Sequence, residues 1–317
     1  WKAFKNELTK VNPEFKMIGE YAGSGYATHA GQLGTGQMDS ILDFDFNDQA
    51  LSFVNGNLSG VESFMEGRNA GINNTATVGS FLSSHDEDGL MYRMMNESGK
   101  FSEDKAYDLM KVAATFQITA KGQPVIYYGE EIGMSGSGKD ENKRAPFIWS
   151  STDTTGMTTG PADMEEVVSA FPSMEEQQED PASMLNYVKA AVRLRNVFPE
   201  IARGQIEAVE EVTDTAIAAM KKTYEEDSCI ILMNTTQEEK QVTLSKSVGY
   251  ESIVGEMRGR AVFVRDGSIV CADGKTEKVP ADKILCSIGR RAVTQGFGLE
   301  NIGVNLERGA IVTDDMM

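Results

Sequence analysis

The spacing of apolar side chains changes character twice along this chain. Over the first residues they recur at helical intervals (Ala3, Phe4, Leu8, Val11) until Asn12-Pro13 stops them, which predicts a short amphipathic helix. Short, nearly continuous apolar runs then alternate with helical spacing. Residues 15–20, 39–44, 78–86 and 124–130 read as strands. Helices are predicted near 58–67, over 103–120 (Ala106, Leu109, Met110, Ala113, Phe116 and Gln117 on related faces) and over 181–197. Strands too continuously apolar for one-sided burial, alternating with helices, are the pattern of parallel β/α units covered on both faces. Four such units make half of an eightfold barrel, or part of an open doubly wound sheet; periodicity fits both. In a barrel, Glu20, Asp86 and the 129–144 loop converge on the face at the carboxyl ends of the strands.

From about residue 205 the period shortens. Residues 216–224, 229–234 and 240–244 read as strands between polar turns, as in an antiparallel sandwich. Asp266-Gly267 and Asp273-Gly274 punctuate hairpin-like runs at 261–265 and 269–272, and 283–288 reads as a further strand. The expected class is α/β, divided into half of a (β/α)8 barrel over 1–203, a partial antiparallel β-sandwich over 204–256 and a β-rich tail over 257–317. The hairpin stretch has the alternation to complete the sandwich by pairing with 216–244.

Charge sharpens the last boundary. The 317 residues carry 30 Lys/Arg against 48 Asp/Glu, net −18, which argues against a nucleic-acid partner. Residues 257–317 hold nine basic and eight acidic groups, net +1, so the first 256 carry −19. No apolar run approaches the ~18 residues that span a bilayer, so no membrane partner is expected. Cys229, Cys271 and Cys286 form no CxxC and no metal spacing, and read as small buried residues. The opening Trp-Lys-Ala-Phe-Lys has neither initiator Met nor signal segment, so the native N-terminus is expected upstream and localisation stays open.

Cleaving a glycosidic bond takes a carboxylic acid to protonate the leaving oxygen and a second carboxylate to attack the anomeric carbon. Glu20 follows a predicted strand, where half-burial would raise its pKa for acid work; alone, it also reads as one surface acid among many. Asp86 follows His85, a pair that serves structure as often as chemistry. Their company decides more. Met17-Ile18-Gly19-Glu20, Leu42-Asp43-Phe44-Asp45-Phe46, Phe81-Leu82-Ser83-Ser84-His85-Asp86, the run from Gly122-Gln123-Pro124 through Tyr127-Tyr128-Gly129-Glu130-Glu131 to Met134, and Lys143-Arg144-Ala145-Pro146-Phe147-Ile148-Trp149 occur in that order. Through about residue 255 this resembles the C-terminal half of the α-amylase family of glycoside hydrolases, barrel strands five to eight plus the C-terminal β domain.

The resemblance implies roles. Glu20 matches the general acid/base, and Asp86 the carboxylate that grips the sugar hydroxyls and stabilises the transition state. His85 matches a histidine bonded to the same sugar. Asp140 and Arg144 match a pair that holds the neighbouring glucose unit, although a solvated charged loop explains them too. Phe147 stands where Met is usual. The implied partner is an α-1,4-linked glucan or maltooligosaccharide. No metal or other cofactor is expected of these residues, with calcium left open for a complete parent enzyme. In the family the nucleophilic aspartate ends the fourth strand, before the helix in which this chain starts. The expectation is therefore a fragment of a retaining starch- or maltodextrin-cleaving hydrolase, inactive alone, with unpaired strand edges through which it self-associates.

Residues 274–291, 298–304 and 308–316 are similar instead to dihydrolipoamide dehydrogenase, a match covering about 260–317. They bring no GxGxxG, no CxxxxC redox pair and no His-Glu base, so FAD and NAD are not expected. The two resemblances together imply a truncated chimera. A flavin- or NAD-dependent disulfide oxidoreductase fragment and a non-catalytic glucan-binding remnant are the alternative functions.

Overall fold

The computed structural model describes residues 1–20, 38–56, 64–68, 70, 77–97, 101–165, 171–234, 236, 238 and 240–244, and the backbone alone of 261–265, 268–272, 306–307 and 310–311. The side chains of 77, 78, 241 and 243 are likewise outside the described set. Two compact units emerge, Trp1–Val279 and Pro280–Met317; in the second, Leu306–Glu307 pairs antiparallel with Ala310–Ile311.

The first unit opens with helix α1 (Lys2–Val11), none of whose residues is buried, and continues into a parallel sheet. Its strands, β1 (Ile18–Gly19), β2 (Ser40–Asp43), β3 (Thr77–Ser80) and β4 (Gln123–Pro124), lie side by side in chain order, with Ile18 opposite Ser40, Ile41 opposite Val78 and Ser80 opposite Pro124. Each is shorter than its apolar run. The 124–130 run leaves the sheet after Pro124, and Gly129, at φ +88°, then turns the chain into a single 3-10 turn at Glu130–Ile132.

Four of the described helices, at 45–54, 90–96, 174–179 and 199–203, stand where none is predicted. Helix α2 (Asp45–Val54) follows β2 with one residue between them; Asp45 and Asp48 favour its amino end, and Phe46, Ala50, Phe53 and Val54 are buried. Of the helix expected near 58–67, residues 64–68 are helical and 57–63 lie outside the described residues. Helix α3 (Leu90–Asn96) buries Leu90, Met91 and Met94. The longest helix, α4 (Glu103–Thr119), runs through the core: Phe116 stacks on both Phe46 and Phe53, at centroid distances of 5.0 and 4.8 Å. Helices α5 (Met174–Glu179), α6 (Met184–Val197) and α7 (Pro199–Arg203) follow. Among the described residues no helix is long and apolar enough to cross a membrane.

A helix end leaves carbonyls without intrahelical partners, and the end of α4 is buried with no basic residue in its own last turn. Three cations from elsewhere serve it. Arg195 on α6 donates to the Ile118 and Ala120 carbonyls, each at 2.7 Å, and to that of Gly122. Arg68 donates to the Lys121 carbonyl while pairing with Asp43 at 2.9 Å, both side chains fully buried. Lys222 donates to Thr119 and to Ile201.

Lys222 comes from an antiparallel sheet of β5 (Gln205–Ala208), β6 (Ile217–Tyr224) and β7 (Asp227–Asn234). Alternation splits that sheet's residues between two cores. Met220 and Met233 join the core of α2, α4 and α6, whereas Ile217 and Ala219 pack with Val242 and Leu244. Val242 belongs to β8 (Gln241–Thr243), whose backbone pairs with 268–272, itself paired with 261–265. The predicted hairpin is thus present, and one of its strands is joined to the 240–244 run. The predicted strand 283–288 lies outside the described residues.

Burial pushes Lys222 down to about 7, with Arg195 adding to the effect. The unfolded chain then binds the proton more readily between about pH 7 and its ordinary value of 10.5, so stability rises with pH across that window. Lys222→Met abolishes this rise and strands two buried carbonyls, a cost of roughly 1–3 kcal/mol each. Thermal unfolding at about pH 6 and about pH 10 is expected to show the variant losing more Tm at the higher pH.

Candidate active site

The carboxyl ends of the four parallel strands share one edge of the sheet, and the sequence-predicted site residues follow those ends. Glu20 follows β1 directly. It is exposed, so the half-burial expected for it is not supplied by its described neighbours. His85 and Asp86 lie on the loop between β3 and α3, and Asp140 and Arg144 bound a 3-10 turn beyond β4.

Those last four come together. The Arg144 guanidinium stands 3.4 Å from Asp86 Oδ1 and 3.6 Å from Asp140 Oδ2, while His85 Nε2 lies 3.3 Å from Asp86 Oδ2. All four side chains are one-third to two-thirds exposed, so the ion pairs contribute little stability by themselves. Their arrangement offers carboxylate acceptors, a guanidinium fork and an imidazole to one solvent-facing region.

The two loops meet closely because of two glycines. Gly89 N–H donates to the Gly136 carbonyl at 3.0 Å. A Cβ on Gly136 would fall 2.1 Å from the Asn142 carbonyl oxygen, and one on Gly89 would fall 2.0 Å from Ser135 Oγ. Behind the exposed pairs lies Lys143, almost wholly buried, whose Nζ donates to the Asp86 carbonyl at 2.6 Å and pairs with Asp88 at 3.3 Å. Tyr127 and Tyr128 donate their hydroxyls to the Lys143 and Ala145 carbonyls, both at 2.8 Å. Burial, with Tyr128 beside it, pushes the Tyr127 phenol up to about 12, so it stays a donor. An open cleft is lined by Ser83, Ser84, both tyrosines, Asn142 and Lys143, among others.

Beneath the cleft, Ser83 donates to the fully buried carboxyl of Glu130, which also accepts the Tyr127 N–H at 3.3 Å. Burial pushes Glu130 up to about 8, outweighing those hydrogen bonds, with the nearby Glu131 adding to the rise. In the sequence Lys143 and Glu130 read as members of charged or motif runs; their burial has no signal in local composition. Among the described residues, no three His, Cys, Asp or Glu side chains gather as metal ligands.

The folded protein holds a proton on Glu130 that the unfolded chain releases near 4.5, so stability falls as pH rises from there to about 8. Glu130→Gln keeps the shape and one acceptor without the charge. Its Tm relative to the parent chain is expected to climb between about pH 5 and about pH 8, measured by calorimetry.

Comparison with known proteins adds what geometry alone does not. The family model described as "Alpha amylase, catalytic domain" matches residues 1–204. Alpha-amylase 3 of Dictyoglomus thermophilum is 27% identical over 259 residues, covering 80% of this chain and 49% of that protein. Alpha-amylase SusG of Bacteroides thetaiotaomicron is 32% identical over 176 residues, covering 53% of this chain and 24% of its own length. Among solved structures, Eubacterium rectale Amy13B superposes with a TM-score of 0.68 at 25% identity, over 85% of this chain and 53% of that one. The chain therefore spans about half the length, or less, of these relatives. With the catalytic-domain model matching well over half of its residues, this chain belongs to the α-amylase family of glycoside hydrolases.

Proposed function

We propose that residues 1–203 are strands five to eight of an α-amylase barrel with their helices, that 204–256 begin the C-terminal β domain, and that together they carry the acid and stabilising groups of a retaining α-glucan hydrolase site. One observation carries the reading: Arg144 bridges Asp86 and Asp140 across two loops that the fold brings to one edge of the parallel sheet. The substrate class is a starch- or maltodextrin-like α-glucan.

In this reading Glu20 protonates the glycosidic oxygen as the bond to the anomeric carbon breaks, and later takes a proton from water. Asp86 accepts hydrogen bonds from ring hydroxyls, and its negative charge opposes the positive charge that develops on the ring in the transition state. His85 bonds the same sugar. Arg144 and Asp140 hold the next glucose unit, and Arg144 also fixes the Asp86 carboxylate. The exposure of Glu20 fits a group that is covered only when the rest of the site is assembled around it. None of these residues is assigned the role of attacking carboxylate, which the family resemblance gives to an aspartate on the barrel strand before the one that bears Glu20. Residues 260–317, with their dihydrolipoamide-dehydrogenase-like pattern and different charge balance, are assigned no part in this chemistry.

The purified 317-residue chain is accordingly expected to bind maltoheptaose and to release no reducing ends from starch. Asp86→Ala should weaken maltoheptaose binding about tenfold in calorimetry, equivalent to roughly 1.4 kcal/mol. Starch hydrolysis by the chain that is abolished in Glu20→Gln would overturn the division of roles.

A further inference from the structure

Large aromatic side chains are costly to leave in water, and two stand exposed in or just after the segments that carry the candidate site: Tyr128, which lines the cleft, at 45%, and Trp149, five residues after Arg144, at 53%. Trp149 is not a loosely tethered residue. The Met174 and Glu175 amides donate to the Ile148 and Trp149 carbonyls, both at 3.0 Å, and Tyr128 holds the Ala145 carbonyl at the start of the same extended run. Phe147 packs against the indole with ring centroids 4.5 Å apart and planes tilted by 52°. The chain thus spends backbone hydrogen bonds and an aromatic neighbour on fixing an indole whose surface remains half in water.

The residues leading into this platform are Asp140 and Arg144. A pyranose ring needs both kinds of surface, because its rim carries hydroxyls and its faces carry C–H groups. The carboxylate and guanidinium groups match the rim, and an indole matches a face. Arg144 and Trp149 are five residues apart, a span of at most about 17 Å in extended chain. An oligosaccharide running along the 140–149 segment spans any separation within that limit and reaches both kinds of surface.

We infer that Trp149, backed by Phe147, is an apolar binding platform for a glucose ring of an α-glucan chain, a different ring from the one held by Asp86. The inference rests on the function proposed above and adds to it a binding position and a preference for long chains over single sugars. The outcomes below separate the two.

Trp1 and Trp149 are the two tryptophans of the sequence, so Trp1→Phe leaves the platform as the sole indole emitter. In that variant, maltoheptaose is expected to change the emission saturably, over the same concentrations that give heat in calorimetry, while glucose leaves it unmoved. Trp149→Ala should weaken maltoheptaose binding about tenfold with its Tm unchanged, and Trp149→Phe should recover most of the affinity. Unmoved emission and undiminished affinity in Trp149→Ala, with Asp86→Ala still weakening binding, would overturn the platform and leave the proposed function standing. Absence of maltoheptaose binding to the parent chain would overturn both. Emission that shifts with protein concentration in the absence of sugar would mark the indole as a self-association surface and overturn the platform.

Discussion

Everything in the first unit is organised around the buried carboxyl end of one helix. Helix α4 delivers its last carbonyls into the core, where water does not reach them, and an unsatisfied carbonyl there would cost roughly 1–3 kcal/mol. The carbonyls of residues 118 through 122 are instead met by Arg195, Lys222 and Arg68. The three cations come from α6, β6 and the segment 64–68, and Arg68 reaches on to Asp43 at the end of β2. A single requirement, hydrogen-bond donors for the buried carbonyls of a helix end, thereby joins the parallel strands, their covering helices and the antiparallel sheet. The same helix holds the site side: Gln117 donates to the Ser80 and Val125 carbonyls, both at 2.9 Å, clamping the ends of β3 and β4 from which the two loops depart.

The site itself follows a different rule. Its pairs among His85, Asp86, Asp140 and Arg144 are exposed and weak, so they do not build the loops that carry them. What sets the loops is underneath: backbone contact at Gly89 and Gly136, the buried Lys143 ammonium on the Asp86 carbonyl, and the Ser83–Glu130 hydrogen bond. The exposed groups are held in place by buried ones, and remain free to exchange their mutual pairs for sugar hydroxyls.

Much of this arrangement is legible in the sequence where periodicity is long. The 103–120 and 181–197 helices are found within a few residues of α4 and α6, and β6, β7 and the 261–272 hairpin follow their alternating runs. Short elements are less legible. Helix α2 begins within a motif that also reads as a strand, since Phe44 and Phe46 alternate with Asp43 and Asp45 before the helical spacing of Ala50 and Phe53 becomes visible. The 124–130 run is as apolar as a strand, yet its ladder pairing ends at Pro124 and the chain then turns at a left-handed Gly129 that composition does not announce. In the site, the motif residues after the strand ends are found, but Lys143 and Glu130 are not, because what distinguishes them is burial created by a loop 50 or so residues away in the chain.

The helix end served by Arg195, Lys222 and Arg68 and the site loops either open as one cooperative unit or open separately. Native-state hydrogen exchange of the parent chain and of Arg195→Leu measures this directly. Loss of Arg195 is expected to speed exchange together in β6 and in the 83–90 loop, although the hydrogen bonds of its guanidinium go to the carbonyls of Ile118, Ala120 and Gly122. Faster exchange confined to residues 118–122 and α6, with β6 and the 83–90 loop protected as before, would contradict it.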